Sequence, residues 1–143
     1  MTMLTSRGCP QSCIFCCAPV LYGHKYRARS AESVVEEMKL LVSKYKVTHI
    51  VFYDASFMSD AKRVERICQG ILACGLEVTW RARCRADKVT EPLLRLMKQA
   101  GCTTIAVGAE TGTQRLLDVL QKRTHLEDIE KAFAIAHKMD MWT

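Results

Sequence analysis

Arg7-Gly8-Cys9-Pro10-Gln11-Ser12-Cys13-Ile14-Phe15-Cys16 sets three thiols at a Cys-x3-Cys-x2-Cys spacing in one short loop. The apolar start before it, Met3 to Ser6, can form a strand that runs into the loop. Thiolates gathered around one point bind a soft metal or an iron–sulfur cluster. Three is one fewer than the four that hold an ordinary cluster. A [4Fe–4S] cube in this loop would leave one iron without a protein ligand, open to a substrate or cosubstrate. The competing reading is zinc, whose fourth ligand would be Cys17 or His24, the nearest in sequence. Cys17 adjoins Cys16, and adjacent residues rarely point at one ion. No second thiol pair of the kind a structural zinc site carries appears downstream.

Outward from the loop, strand and helix patterns alternate. Ser30 caps a helix with Glu32, Glu36 and Glu37 early in it and Val34, Val35, Met38, Leu41, Val42 and Tyr45 on one face. Thr48 to Tyr53 is β-branched and aromatic, a short buried strand. Asp60 caps the next helix and Gly75 ends it. Leu76 to Trp80 opens a third strand, and Thr90-Glu91-Pro92 starts a helix that Gly101 terminates. Thr103 to Val107 is a fourth strand, and a helical stretch around Leu116 and Leu117 follows. Thr124-His125-Leu126-Glu127 reads as a capping box, and Met141-Trp142 as the start of a fifth strand. Such alternation implies βαβ units, right-handed crossovers and a parallel sheet.

The cysteine loop resembles that of the radical S-adenosylmethionine (SAM) superfamily, and the likeness extends through Phe15 and Pro19. The resemblance implies that Cys9, Cys13 and Cys16 hold three irons of a [4Fe–4S] cluster. SAM would chelate the fourth through its amino and carboxylate groups, with Phe15 beside the adenine. It also implies an α/β fold, a parallel-stranded partial (βα)6 TIM-like barrel. The chain covers about four and a half of its units, so residues 1–143 read as the N-terminal portion of the core domain of a longer protein.

In parallel α/β folds the working groups lie at the C-terminal ends of strands. At the second such end, Phe52-Tyr53-Asp54-Ala55-Ser56-Phe57 is similar to the Phe-x-Asp-Asp-x-Phe of the cobalamin-associated branch, with Ala55 in place of the second acid. Most members of the family carry a Gly-Gly-Glu-like stretch here, so contact with the SAM amine would rest on Asp54 or on backbone carbonyls. Arg27-Ala28-Arg29-Ser30 also resembles that branch, and two guanidiniums before a helix N-terminus invite a nearby anion. At the third end, period two puts Arg81, Arg83 and Arg85 on one face, and Arg85-Ala86-Asp87 is similar to the family's Arg-x-Asp. A solvated strand exit is the competing account for Arg83 and Arg85. At the fourth, Gly108-Ala109-Glu110-Thr111 is similar to a Gly-x-Glu-Ser motif. A carboxylate can accept from both ribose hydroxyls, which makes Glu110 the candidate for the SAM ribose or amine. The alternative is that Glu110 only complements the next helix dipole. Lys122 matches a frequent family lysine without a role readable from its position.

The family implies an enzyme that cleaves SAM reductively to a 5′-deoxyadenosyl radical, which then abstracts hydrogen from a substrate. Its partners would be SAM, an electron donor such as flavodoxin or ferredoxin, and cobalamin where a further domain carries it. Two alternatives stay open, a fragment of an RNA-modifying methylthiotransferase and a non-catalytic metal-binding module. A net charge of +6 permits an anionic partner, but no Arg/Lys run forms a nucleic-acid arm, and a nucleic-acid partner is not expected. No apolar run reaches the ~18 residues of a membrane span, and no signal-peptide pattern opens the chain, so the expected compartment is the cytoplasm. Cys68, Cys74, Cys84 and Cys102 lie scattered in apolar segments and read as reduced, small buried hydrophobes. His24, His49, His125 and His137 form no ligand spacing.

Overall fold

A computed structural model describes residues 1–143. In chain order its elements are β1 (Thr2–Met3), β2 (Ser6–Arg7), α1 (Ala18–Tyr22), β3 (Arg27–Ala28), α2 (Ala31–Tyr45) and β4 (His49–Phe52). There follow α3 (Ala61–Ala73), β5 (Thr79–Cys84), α4 (Glu91–Gln99), β6 (Cys102–Val107), α5 (Gln114–Val119) and α6 (Leu126–Lys138). Four strands form one parallel sheet in the order β1-β4-β5-β6, and β2 pairs antiparallel with β3 apart from it. Trp142 extends the sheet beyond β6: its N–H donates to the Thr103 carbonyl at 3.0 Å, and its carbonyl accepts from Ile105 N–H at 2.9 Å. The sheet is the partial parallel barrel that the alternation of elements implies.

The helices begin and end where side-chain chemistry dictates. Ser30 Oγ accepts from Ser33 N–H at 3.2 Å, and Asp60 Oδ1 accepts from Arg63 N–H at 3.0 Å, capping α2 and α3. Gly75 (φ 58°) and Gly101 (φ 90°) follow the ends of α3 and α4 in the left-handed region. The capping box at α6 lies one residue later than the sequence suggests. His125 N–H donates to Asp128 Oδ2 at 3.0 Å, while Thr124 is buried and takes other partners. The boundary shifts because Thr124 Oγ1 is claimed by Arg85 (2.9 Å).

The pleat of β5 sorts its side chains between two unlike environments. Trp80, Ala82 and Cys84 are buried against the helices, and Arg81 and Arg83 are exposed on the opposite face. Phe52, Phe57 and Trp80 form the aromatic centre of the core, with ring centroids 4.7 to 5.9 Å apart. The Trp80 indole N–H is satisfied by the Ala100 carbonyl at 2.7 Å.

The first strand is shorter than Met3 to Ser6. The chain pairs with β4 through Thr2 and Met3, then leaves the sheet so that Ser6 and Arg7 can pair with Ala28 and Arg27. Asp54, fully buried at the end of β4, holds this departure. Its Oδ1 accepts from Thr5 N–H at 2.6 Å, and its Oδ2 from Thr5 Oγ1 at 2.5 Å and Ser6 Oγ at 2.7 Å. The Thr5 carbonyl accepts from Arg29 N–H (2.9 Å) and from the buried Arg63 guanidinium (3.1 Å). Three residues on, Gly8 has φ 88°, and a Cβ there would stand 2.0 Å from the Lys25 carbonyl oxygen.

Two outcomes are expected. Asp54→Ala strips three hydrogen bonds from a closed site and lowers unfolding free energy by about 3 kcal/mol, read from urea denaturation. Under native conditions a thiol-reactive dye titrates Cys9, Cys13, Cys16, Cys17 and Cys74 and spares the buried Cys68, Cys84 and Cys102. Burial pushes the Cys68 and Cys84 thiols up to about 12 from an ordinary 9.0 and raises Cys102 well above it. Their contribution to stability is therefore present below pH 9 and is lost as pH rises toward 12.

Candidate functional site

The three cysteines of the opening loop line one cavity of about 310 Å³ at the C-terminal edge of the sheet. Phe15 lines it beside them, Arg83 to Arg85 come from the end of β5, and Gly108 and Glu110 from the turn after β6. Lys122 closes the far wall. Three larger hollows, of about 370, 440 and 540 Å³, have none of these three cysteines in their walls.

Backbone hydrogen bonds fix the loop from both ends. Cys9 N–H donates to the Gly23 carbonyl at 3.2 Å, and Cys16 N–H to the Cys13 carbonyl at 3.2 Å. Between them Ile14 N–H reaches the Leu120 carbonyl at 3.1 Å, which joins the loop to the end of α5. Cys9 and Cys13 are half-buried, Cys16 is exposed, and all three are free thiols.

Across the cavity, Lys122 Nζ donates to Glu110 Oε1 at 2.7 Å and lies 5.6 Å from the centre of the Phe15 ring. Lys122 is 7% exposed, so its ammonium needs this carboxylate. Glu110 sits at φ 64°, a backbone region uncommon for a residue of its type. A Cβ on Gly108 would stand 2.5 Å from Glu110 Oε1 and 2.8 Å from Lys122 Nζ, so the glycine leaves room for the pair. Arg85 also borders the cavity, with its Nε and Nη2 engaged. They reach Asp87 Oδ1 (2.8 Å), the Arg123 carbonyl (3.0 Å) and Thr124 Oγ1 (2.9 Å).

Of the residues expected at the site, the structure brings together Cys9, Cys13, Phe15, Cys16, Arg85 and Glu110. Asp54 does not join them: both of its oxygens are occupied by Thr5 and Ser6 inside the fold, and Ala55 borders the cavity instead. The expectation that Asp54 meets the SAM amine is corrected accordingly, since its carboxylate is an internal brace. Arg27 and Arg29 require no external anion either. Arg27 donates to the Lys25 and Tyr22 carbonyls at 2.9 Å, and Arg29 pairs with Glu37. The buried Arg63 was not legible as a brace, because on its helix it reads as one more surface cation. Lys122 was legible only as a motif position.

The donor set suits a group larger than one ion. Neither Cys17 nor His24 borders the cavity, and no three His, Cys, Asp or Glu side chains converge on a single ion-sized point. A cubane takes its thiolates on separate irons, so cysteines spaced around a shared cavity fit it.

The model of the family described as "Radical SAM superfamily" matches residues 3–143. An uncharacterized methyltransferase of Pyrococcus horikoshii is 35% identical over 84% of this chain, covering 26% of that protein. The anaerobic magnesium-protoporphyrin IX monomethyl ester cyclase of Cereibacter sphaeroides is 30% identical over 96% of this chain, covering 23% of that protein. The chain thus spans about a quarter of the length of these curated relatives. Among solved structures, the cobalamin-dependent SAM radical enzyme OxsB, with aqua-cobalamin and SAM bound, superposes with a TM-score of 0.85 at 25% identity. The match covers 99% of this chain and 22% of OxsB. The radical SAM methyltransferase TsrM of Kitasatospora setae, with a TM-score of 0.88 at 21% identity over 98% of this chain and 28% of TsrM, shares the fold. With its cysteine spacing, its parallel sheet and a family match over nearly its whole length, the chain belongs to the radical SAM superfamily.

Proposed function

We propose that this chain holds a [4Fe–4S] cluster on Cys9, Cys13 and Cys16 and binds SAM in the cavity those cysteines share with Glu110 and Lys122. The observation that carries the reading is the shared wall: three thiols on one side, and on the other a buried ammonium paired to a carboxylate. When bound and reduced, the cluster supplies the electron that splits the carbon–sulfur bond of SAM, giving methionine and a 5′-deoxyadenosyl radical for hydrogen abstraction.

The chain's own residues supply position and shelter. Cys9, Cys13 and Cys16 would each occupy one iron, leaving the fourth for the amino acid end of SAM. Phe15, in the cavity wall, offers an apolar surface for the adenine. Glu110 has a second carboxylate oxygen free of Lys122 to accept from ribose hydroxyls. Arg85 holds the strand end against the loop before α6, so its role is to position the wall. The electron enters from a one-electron donor such as flavodoxin or ferredoxin.

The cobalamin-associated branch is the preferred placement within the family. Its support is the Phe-x-Asp stretch at Phe52 to Asp54 together with relatives described as cobalamin-dependent or as methyltransferases. Methyl transfer, or a ring closure such as the cyclase performs, is the reaction type this placement favours.

Anaerobic reconstitution tests the proposal. The chain is expected to take up about four irons with matching acid-labile sulfide, and each Cys→Ala variant at 9, 13 or 16 to lose that stoichiometry. One zinc per chain without sulfide would instead establish the metal-binding module. In the loaded protein, Glu110→Gln and Lys122→Met are each expected to weaken SAM binding about ten-fold by equilibrium dialysis while iron content stays unchanged.

A further inference from the structure

Helices cover one face of the sheet and leave the other open. On that open face Arg81 and Arg83 stand two residues apart on β5, beside Val51 and Tyr53 of β4 and Thr104 and Ala106 of β6. Strand geometry separates their Cα atoms by roughly 7 Å, close enough for one group to touch both guanidiniums. Neither side chain makes a hydrogen bond or ion pair within the chain, unlike Arg27, Arg29, Arg63, Arg85 and Arg95. Of the carboxylates that follow the neighbouring strands, Glu110 pairs with Lys122, and Asp54 is filled by Thr5 and Ser6.

Arg83 is nonetheless held in place. Its guanidinium lies over the Tyr53 ring at 4.3 Å from the centroid, a contact that leaves its N–H donors without a hydrogen-bond partner in the chain. Arg83 also borders the cysteine-lined cavity, and with Arg81 it borders a smaller recess of about 150 Å³ on the sheet face. Apolar surface from Val51, Tyr53 and Ala106 surrounds the two charges. Two like charges set side by side without a counter-charge, one of them oriented by an aromatic ring, match the planar, two-point recognition of an oxyanion.

We propose that Arg81 and Arg83, on the open sheet face beside the cysteine-lined cavity, grip a phosphate or carboxylate group of the molecule acted on. This rests on reading the cavity as the reaction site. The grip places the substrate's anionic end on the sheet face and its remaining body toward the cavity. An uncharged analogue of such a substrate is therefore discriminated against.

The test uses the whole 143-residue chain, ¹⁵N-labelled and without cluster, titrated with inorganic phosphate and separately with acetate. Arginine Nε–H resonances are followed by NMR. The signals of Arg81 and Arg83 are expected to move saturably while those of the exposed Arg66 and Arg115 do not. Arg81→Gln, outside the cysteine-lined cavity, is expected to weaken phosphate binding about ten-fold and, in the cluster-loaded chain, to leave SAM binding within about two-fold. Arg83→Gln is expected to weaken phosphate binding likewise, and the wild-type titration needs no variant. Drift of all exposed arginines together would overturn the proposal. So would phosphate displacement by SAM in the cluster-loaded chain with a matching ten-fold loss of SAM affinity in Arg81→Gln, because the anion would then be the SAM carboxylate. Failure to load iron would count against the cluster and leave the phosphate result standing.

Discussion

A buried carboxylate with three donors decides where the cysteines sit. Left unpartnered, Asp54 would cost several kcal/mol in the interior. Thr5 N–H, Thr5 Oγ1 and Ser6 Oγ relieve that cost only if the chain turns away from the sheet at Leu4 and Thr5. Arg63 and the Arg29 amide complete the junction by filling the Thr5 carbonyl, so one residue gathers donors and acceptors from three separate segments. The turn carries Ser6 and Arg7 into their pairing with β3, and the loop from Gly8 onward then lies over the strand ends. The position of the three cysteines thus depends on a polar network in which none of them takes part.

The same alternation that builds the core also builds the working face. Trp80, Ala82 and Cys84 give β5 its hold on the helices, and Arg81 and Arg83 between them are free to carry charge because their face is exposed. One β-strand therefore serves the core through its even positions and carries charge on its odd ones. The bulge between Trp80 and Arg81 keeps this division aligned with β6, where Thr103 is the extra residue.

Much of this was legible in the residues themselves. The cysteine spacing picked out three residues that share a cavity, Ser30 and Asp60 announced their helices, and Gly75 and Gly101 their ends. Glu110 was picked out by its Gly-x-Glu setting and by a carboxylate's capacity to accept from two hydroxyls, and it lines the same cavity. Asp54 was misjudged for a physical reason. An acid at a strand end looks alike in sequence whether it faces a ligand or turns inward, and only the donors of Thr5 and Ser6, nearly fifty residues away, distinguish the two. Arg63 was missed on the same ground, since a helix pattern does not show which long cation folds back under a loop. The split of the first strand follows from these two and could not be read without them.

The segment from Leu120 to Thr124 explains why the two walls of the cavity act as one. Leu120 receives the cysteine loop through Ile14, Lys122 pairs with Glu110, and Arg123 and Thr124 receive Arg85 from β5. Gln121 and Arg123 both adopt positive φ (53° and 52°), which turns successive carbonyls and side chains toward different neighbours within five residues. A sheet alone would fix the strand ends relative to each other and leave the long cysteine loop to drift. Because this strap ties the loop, the Glu110 turn and the end of β5 together, a displacement of the thiols must be felt at the carboxylate. The separation of the cavity's two walls is therefore held by a connector rather than by the sheet.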